Sequence, residues 1–153
     1  MILVRAPLRI SFVGGGTDQP DFYTRHPGRV ISTTINKYVY VLINPTPLLD
    51  KFTVKYQKTE MVDHPKDLEH TRIREALLGL GLTSEGLEIG TFADLPAKTG
   101  LGSSSSFSVA LLRALHAHIG RPLSREEAAE AACRLEIGTL KEPIGKQDQY
   151  AAA

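Results

Sequence analysis

The stretch Leu95-Pro96-Ala97-Lys98-Thr99-Gly100-Leu101-Gly102-Ser103-Ser104-Ser105-Ser106 constrains the chain more than any other. It leaves a strand-like segment, turns on glycines and enters a helix through hydroxyl residues. Amides in the first turn of a helix have no acceptor inside it, and the dipole there favours negative charge. Gly100 and Gly102 remove side chains that would hold an anion away from those amides. A serine cap after a glycine turn is the plain structural alternative, but serine is a mediocre helix former and four in succession exceed what a cap requires. The spacing is not that of a Walker A loop, since no Gly-Lys-Ser/Thr follows. The pattern points to phosphate bound by backbone amides, with serines placed to bond phosphate oxygens or a metal riding on them.

Hydrophobic periodicity supplies the surrounding elements. Val4 to Val13 reads as one or two short strands broken near Pro7. Arg29 to Ile35 and Lys37 to Ile43 read as two strands joined at Asn36-Lys37, the second closed by Asn44-Pro45-Thr46-Pro47. Phe52 to Tyr56 alternates as a further strand. Leu68 to Leu80 carries a helical apolar stripe capped near Gly79 or Gly81. Gly86 to Phe92 returns to alternation. Ser103 to Ile119 forms a helix with Phe107, Ala110, Leu111, Ala114, Leu115 and His118 on one face. Ser124, with Glu127 three residues later, opens another helix through a capping box and carries it to about Ile137. Strands first and helices later give an α+β layered fold, a mixed sheet packed on helices.

Bulk properties narrow the function. The 153 residues suit one domain, and 42% hydrophobic content supplies a core. With 18 basic against 17 acidic residues, no basic excess exists to grip a phosphate polymer, which disfavours nucleic acid as partner. Cys133 is the single cysteine, with no disulfide or metal companion, which points to a reducing compartment and so to the cytoplasm. No signal peptide or membrane span is legible, so no membrane association is expected. The chain stops at Tyr150-Ala151-Ala152-Ala153 without a stop signal for its last element and reads as a truncated piece. His116 and His118 fall on different helix faces and make no metal pair.

The glycine-serine segment resembles the second motif of the GHMP kinases, a proline followed by Gly-Leu-Gly-Ser-Ser. Two other segments, in the same order as in that family, strengthen the resemblance. Ala6-Pro7-Leu8-Arg9-Ile10-Ser11-Phe12-Val13-Gly14-Gly15-Gly16-Thr17-Asp18 is similar to the N-terminal substrate motif of its sugar-kinase branch. Here Gly15 and Gly16 replace a glutamate and a histidine of that motif, which argues against galactose. The triple glycine followed by Pro20-Asp21-Phe22-Tyr23 is similar to the kinases of D-glycero-D-manno-heptose 7-phosphate. The third segment, Glu136 with Gly145-Lys146-Gln147-Asp148-Gln149, matches a metal-binding glutamate and a catalytic Gly-x-x-Asp-Asn/Gln sequence.

The resemblance implies a GHMP kinase N-terminal domain over residues 1–153, related to a ribosomal-protein domain and containing a left-handed β-α-β unit. A C-terminal domain that closes the cleft, with a third glycine-rich motif, lies outside this chain, so weak or no activity is expected of this piece alone. The resemblance also implies the site. Lys98, Thr99, Gly100, Leu101, Gly102, Ser103, Ser104 and Ser105 hold the ATP phosphates. Ser104 and Glu136 ligate Mg²⁺, and Gly15, Gly16, Thr17 and Asp18 bind the sugar. Asp148 takes the proton of the reacting hydroxyl, steadied by Arg9. The implied reaction is ATP-dependent phosphorylation of the anomeric hydroxyl of the heptose phosphate. Alternatives are another GHMP substrate, such as a mevalonate-type alcohol, or a sensor that binds sugar and ATP without turnover. Without the resemblance, Arg9 reads as a surface ion pair, Asp18 as a turn cap, Glu136 as an exposed helix residue and Asp148 as a loop residue.

Overall fold

A computed structural model describes residues 1–96 and 99–153. Among the described residues five strands form one sheet in the order β1-β2-β5-β3-β4: β1 Ile2–Val13, β2 Ile31–Pro45, β3 Phe52–Lys55, β4 Thr59–Val62 and β5 Leu87–Ala93. Neighbours are antiparallel except β3 and β5, which run parallel, so the sheet is mixed. The connection between that parallel pair carries β4 and helix α2, Thr71–Gly79.

Alternation along the strands decides the core face. Ala6 and Leu8, Val39, Val41 and Ile43, Phe52 and Val54, and Leu87 and Ile89 are all buried at spacing two. They meet α2 and helix α3, Ser103–His118, whose Val109, Leu111 and Leu115 have no exposed surface. Helix α4, Arg125–Cys133, presents Ala128, Ala129 and Ala132, small side chains that let it lie close against α3. Two short helices complete the chain in sequence: α1, Pro20–Tyr23, between β1 and β2, and α5, Gln147–Ala152, after α4.

Several expectations need correction. The two strands expected over residues 29–43 with a turn at Asn36-Lys37 are instead one strand, β2, which begins at Ile31 and runs through both residues. Its partner β1 is also continuous past Pro7. The register steps from Pro7↔Tyr38 to Arg9↔Thr34, so the extra residues of β2 are absorbed in a bulge. Pro7 is tolerated because β1 lies at the sheet edge. Helix α2 is shorter than its apolar stripe, because a 3-10 turn at Pro65–Asp67 precedes it and the His70 ring caps it by accepting from the Ile73 amide. The capping box of Ser124 and Glu127 is present in both directions. The α-helix it opens ends at Cys133, however, and Arg134–Thr139 continues as a π-helical segment. Strand β4 and helices α1 and α5 carried no periodicity long enough to read.

Candidate active site

Helix α3 is preceded by Gly102 at its N-cap, whose φ of 75° is a left-handed conformation that a side chain would strain. That turn and the first residues of α3 stand on a cleft of about 810 Å³. Of the residues expected to hold phosphate, Gly100, Gly102, Ser103 and Ser104 line the cleft. Thr99 and Leu101 stand beside it on the same turn, and the Leu101 carbonyl accepts from the Arg9 amide at 3.0 Å. Lys98 lies outside the described residues. The serines divide by helical phase. Ser104 is exposed, whereas Ser105 and Ser106 are buried, Ser106 donating to the Pro7 carbonyl at 2.7 Å.

Arg9 and Asp148 meet on the cleft wall. Arg9 Nε and Nη2 both reach Asp148 Oδ1, at 2.8 and 2.7 Å, while Nη1 donates to the Gly100 carbonyl at 2.8 Å. A Cβ on Gly102 would sit 3.2 Å from Asp148 Oδ2 and 3.3 Å from Arg9 Cγ. The ion pair, the carboxylate oxygen that Arg9 leaves free and the glycine turn are therefore packed in direct contact.

Gly15, Gly16, Thr17 and Asp18 form a loop at the end of β1, outside the walls of that cleft. Asp18 Oδ1 accepts from the Gly16 amide at 2.9 Å and Oδ2 from the Gln147 amide at 3.1 Å. The Asp18 carbonyl also accepts from the Lys146 amide at 3.1 Å. Asp18 thus fastens the glycine loop to the start of α5, the helix that carries Asp148. Thr17 Oγ1 donates to the Gly14 carbonyl at 2.7 Å and closes the same loop. The glycine of the Gly145-to-Asp148 sequence has a steric reason: a Cβ there would lie 2.0 Å from Asp18 Oδ2.

Glu136, placed by the π-helical segment, is not the exposed helix residue that its local sequence suggests. It has no exposed surface and accepts from Ser105 Oγ at 2.9 Å, Ser108 Oγ at 2.7 Å and Gln149 Nε2 at 2.5 Å. Arg72 Nε approaches it at 3.3 Å and is its one cationic partner among the described residues. The α3 hydroxyls bonded to Glu136 are those of Ser105 and Ser108, whereas Ser104, the other expected Mg²⁺ ligand, faces the cleft. Among the described residues no three His, Cys, Asp or Glu side chains cluster to hold a metal. The donors nevertheless fit Mg²⁺, which takes hard oxygens and is commonly held by one or two carboxylates plus phosphate oxygens. Glu136 offers such a carboxylate, and the buried Gln149 Oε1 beside it has no hydrogen-bond partner.

Sequence reading missed the far end of the cleft. Tyr56, His70 and Phe107 line it as an aromatic row, with centroids 5.0 and 5.3 Å apart. Glu60 holds that row, accepting from Tyr56 Oη at 2.7 Å, the Glu69 amide at 2.6 Å and the His70 amide at 3.2 Å. Burial lowers the His70 pKa from its usual 6.5. Its Nδ1 also accepts from Ile73, which requires that nitrogen unprotonated. Tyr56 follows β3, His70 caps α2 and Phe107 lies on α3, and no local motif announces them.

The family model for the GHMP kinases N terminal domain matches residues 69–153. A D-glycero-alpha-D-manno-heptose 7-phosphate kinase of Campylobacter jejuni is 28% identical over 99% of this chain and 48% of its own length. A galactokinase of Thermococcus kodakarensis is 27% identical over 98% of this chain and 43% of its own. Among solved structures, a D-glycero-D-manno-heptose 1-phosphate kinase from Bacteriodes thetaiotaomicron superposes with a TM-score of 0.89 at 29% identity, covering all of this chain and 53% of that one. The chain thus spans about half the length of the relatives it matches.

Two outcomes follow from this geometry. Gly145→Ala forces Asp18 off the start of α5 and lowers stability by about 1–3 kcal/mol in urea denaturation. Gly138→Ala, with nothing within 4 Å of its Cβ, stays within about 0.5 kcal/mol. For His70 the folded state disfavours the proton, so its contribution to stability is complete above the unfolded value of 6.5 and is lost as pH falls below it. The urea midpoint of wild type should therefore drop more on acidification from about pH 7.5 to about pH 5.5 than that of His70→Asn.

Proposed function

The chain belongs to the GHMP kinase family, and from that premise we propose that it carries the phosphate-binding and catalytic half of a sugar kinase. The reaction is transfer of the γ-phosphate of ATP to a sugar hydroxyl, with the anomeric hydroxyl of D-glycero-D-manno-heptose 7-phosphate as the acceptor. One observation carries the reading. Arg9 and Asp148, far apart in sequence, meet against Gly100 and Gly102, on the cleft that Ser103 and Ser104 also line.

Phosphoryl transfer asks a protein for positioning and for fixed charge more than for covalent chemistry. The amides at the start of α3 and the hydroxyls of Ser103 and Ser104 hold the β- and γ-phosphates. Ser104, on the cleft, and Glu136, behind it, would hold Mg²⁺, which would supply positive charge beside the phosphates. Asp148 orients the acceptor hydroxyl through Oδ2, the oxygen Arg9 leaves free, and takes its proton late in the transfer. Arg9 fixes the carboxylate from the other side and steadies the incoming oxygen. Asp18 ties the Gly15-Gly16-Thr17 loop to α5, so the sugar-binding loop and the base are located by one set of hydrogen bonds. The heptose phosphate as acceptor is supported by two relatives named as heptose phosphate kinases and by Gly15 in place of the glutamate that helps read the sugar in galactokinases.

Asp148→Asn keeps the shape of the side chain and removes its basicity. The variant is expected to bind ATP within about twofold of wild type while its turnover falls by roughly 10²–10⁴. Turnover at the wild-type rate would remove Asp148 from the reaction.

A further inference from the structure

Arg72 is a residue that no motif of the chain singles out, yet it stands between the cleft and Glu136. Its side chain lines the cleft alongside Ser103 and Ser104, whereas Glu136 lies behind it with no exposed surface. A carboxylate withdrawn that far from water needs a compensating charge, and Arg72 supplies it. The guanidinium is shared unequally. Nε lies 3.3 Å from Glu136 Oε1, while Nη2 lies 2.6 Å from Glu142 Oε2. The Glu142 side chain keeps a quarter of its surface exposed, so that end of the bridge is nearer to water than buried Glu136. The contact to Glu136 is the long one and the first to give.

We propose that Arg72 is a resident counter-cation for Glu136, which yields the carboxylate to a divalent cation when nucleotide enters the cleft and withdraws onto Glu142. The inference rests on the reading of Glu136 as a metal ligand. Two cations on one buried carboxylate repel each other, so occupancy by one excludes the other. Coupling of this kind is reciprocal: whatever loosens Arg72 from Glu136 tightens the metal, and whatever confines Arg72 to Glu136 weakens it. Arg72 is thus a positioning residue that sets how readily Glu136 becomes available. Glu142, on the far side of the guanidinium, sets how easily Arg72 lets go.

The test titrates Mn²⁺ into the full-length protein saturated with a non-hydrolysable ATP analogue, reading free Mn²⁺ by its paramagnetic resonance signal. Arg72→Gln should tighten Mn²⁺ binding about tenfold, and Glu142→Gln should weaken it about fivefold. A merely structural network would move both variants in the same direction, so parallel shifts, or no shift in either, overturn the inference. Should Arg72→Gln fail to fold, Glu142→Gln decides alone: weakened Mn²⁺ binding supports the inference and unchanged or tighter binding overturns it. Glu136→Gln separates the two levels. If it abolishes tight Mn²⁺ binding while the other variants leave binding unmoved, the ligand reading stands and the role of Arg72 falls. If it leaves Mn²⁺ binding intact, both fall.

Discussion

The contact of the Arg9–Asp148 ion pair with the Gly100–Gly102 turn joins the two ends of the chain at one place. Arg9 comes from the edge strand β1 and Asp148 from the last helix, and α3 starts at the turn between them. The guanidinium spends three donors on this joint, two on one carboxylate oxygen and one on a backbone carbonyl. Such charge-assisted bonds carry directional preference as well as energy, and Arg offers a rigid fork of donors where Lys offers a point charge. A Cβ at position 102 would press on both members of the pair and strain a backbone held at a φ of 75°. The orientation of α3, and hence the direction in which its free amides point, is set at this joint.

A second polar centre lies one turn deeper. Glu136 is a fully buried carboxylate surrounded by donors from α2, α3 and α5, and its position depends on the π-helical turn that follows α4. Such turns cost helix stability and recur where a side chain has to be re-aimed. Burying this charge is expensive, and the bonds from Ser105, Ser108 and Gln149 with the charge of Arg72 offset that cost. The two centres share α3 and α5, whose cleft-facing residues serve the first and whose inward residues serve the second. Helical phase, which separates Ser104 from Ser105, keeps the two functions apart on a single stretch of serine.

Much of this was legible from local chemistry. The glycine-serine turn, the start of α3 at Ser103 and the capping box at Ser124 each rest on residues adjacent in sequence, where the physical cause is local. The bond partners of Glu136 and Asp18 were not legible, because both are fixed by donors far along the chain. Read locally, Glu136 is an exposed helix residue, and only the π-helical turn and the burial of Ser105 and Ser108 make it an interior charge. Arg72 carries no local signal either, because its partners Glu136 and Glu142 are 64 and 70 residues away. The break expected at Asn36-Lys37 failed because strand pairing with β1 absorbs those residues as a bulge, a tertiary effect with no local signature. The triple glycine reads as a turn from composition alone, but its tie to α5 through Asp18 depends on Gly145, more than a hundred residues away.

The central claim is that the cleft built by Arg9, Asp148 and the start of α3 moves phosphate from ATP to a sugar. The most direct test measures ADP release by the full-length protein with Mg-ATP, offering heptose 7-phosphate, galactose and mevalonate separately. The account predicts turnover with the heptose phosphate and none above background with mevalonate. ATP binding with no ADP release on any sugar would contradict it.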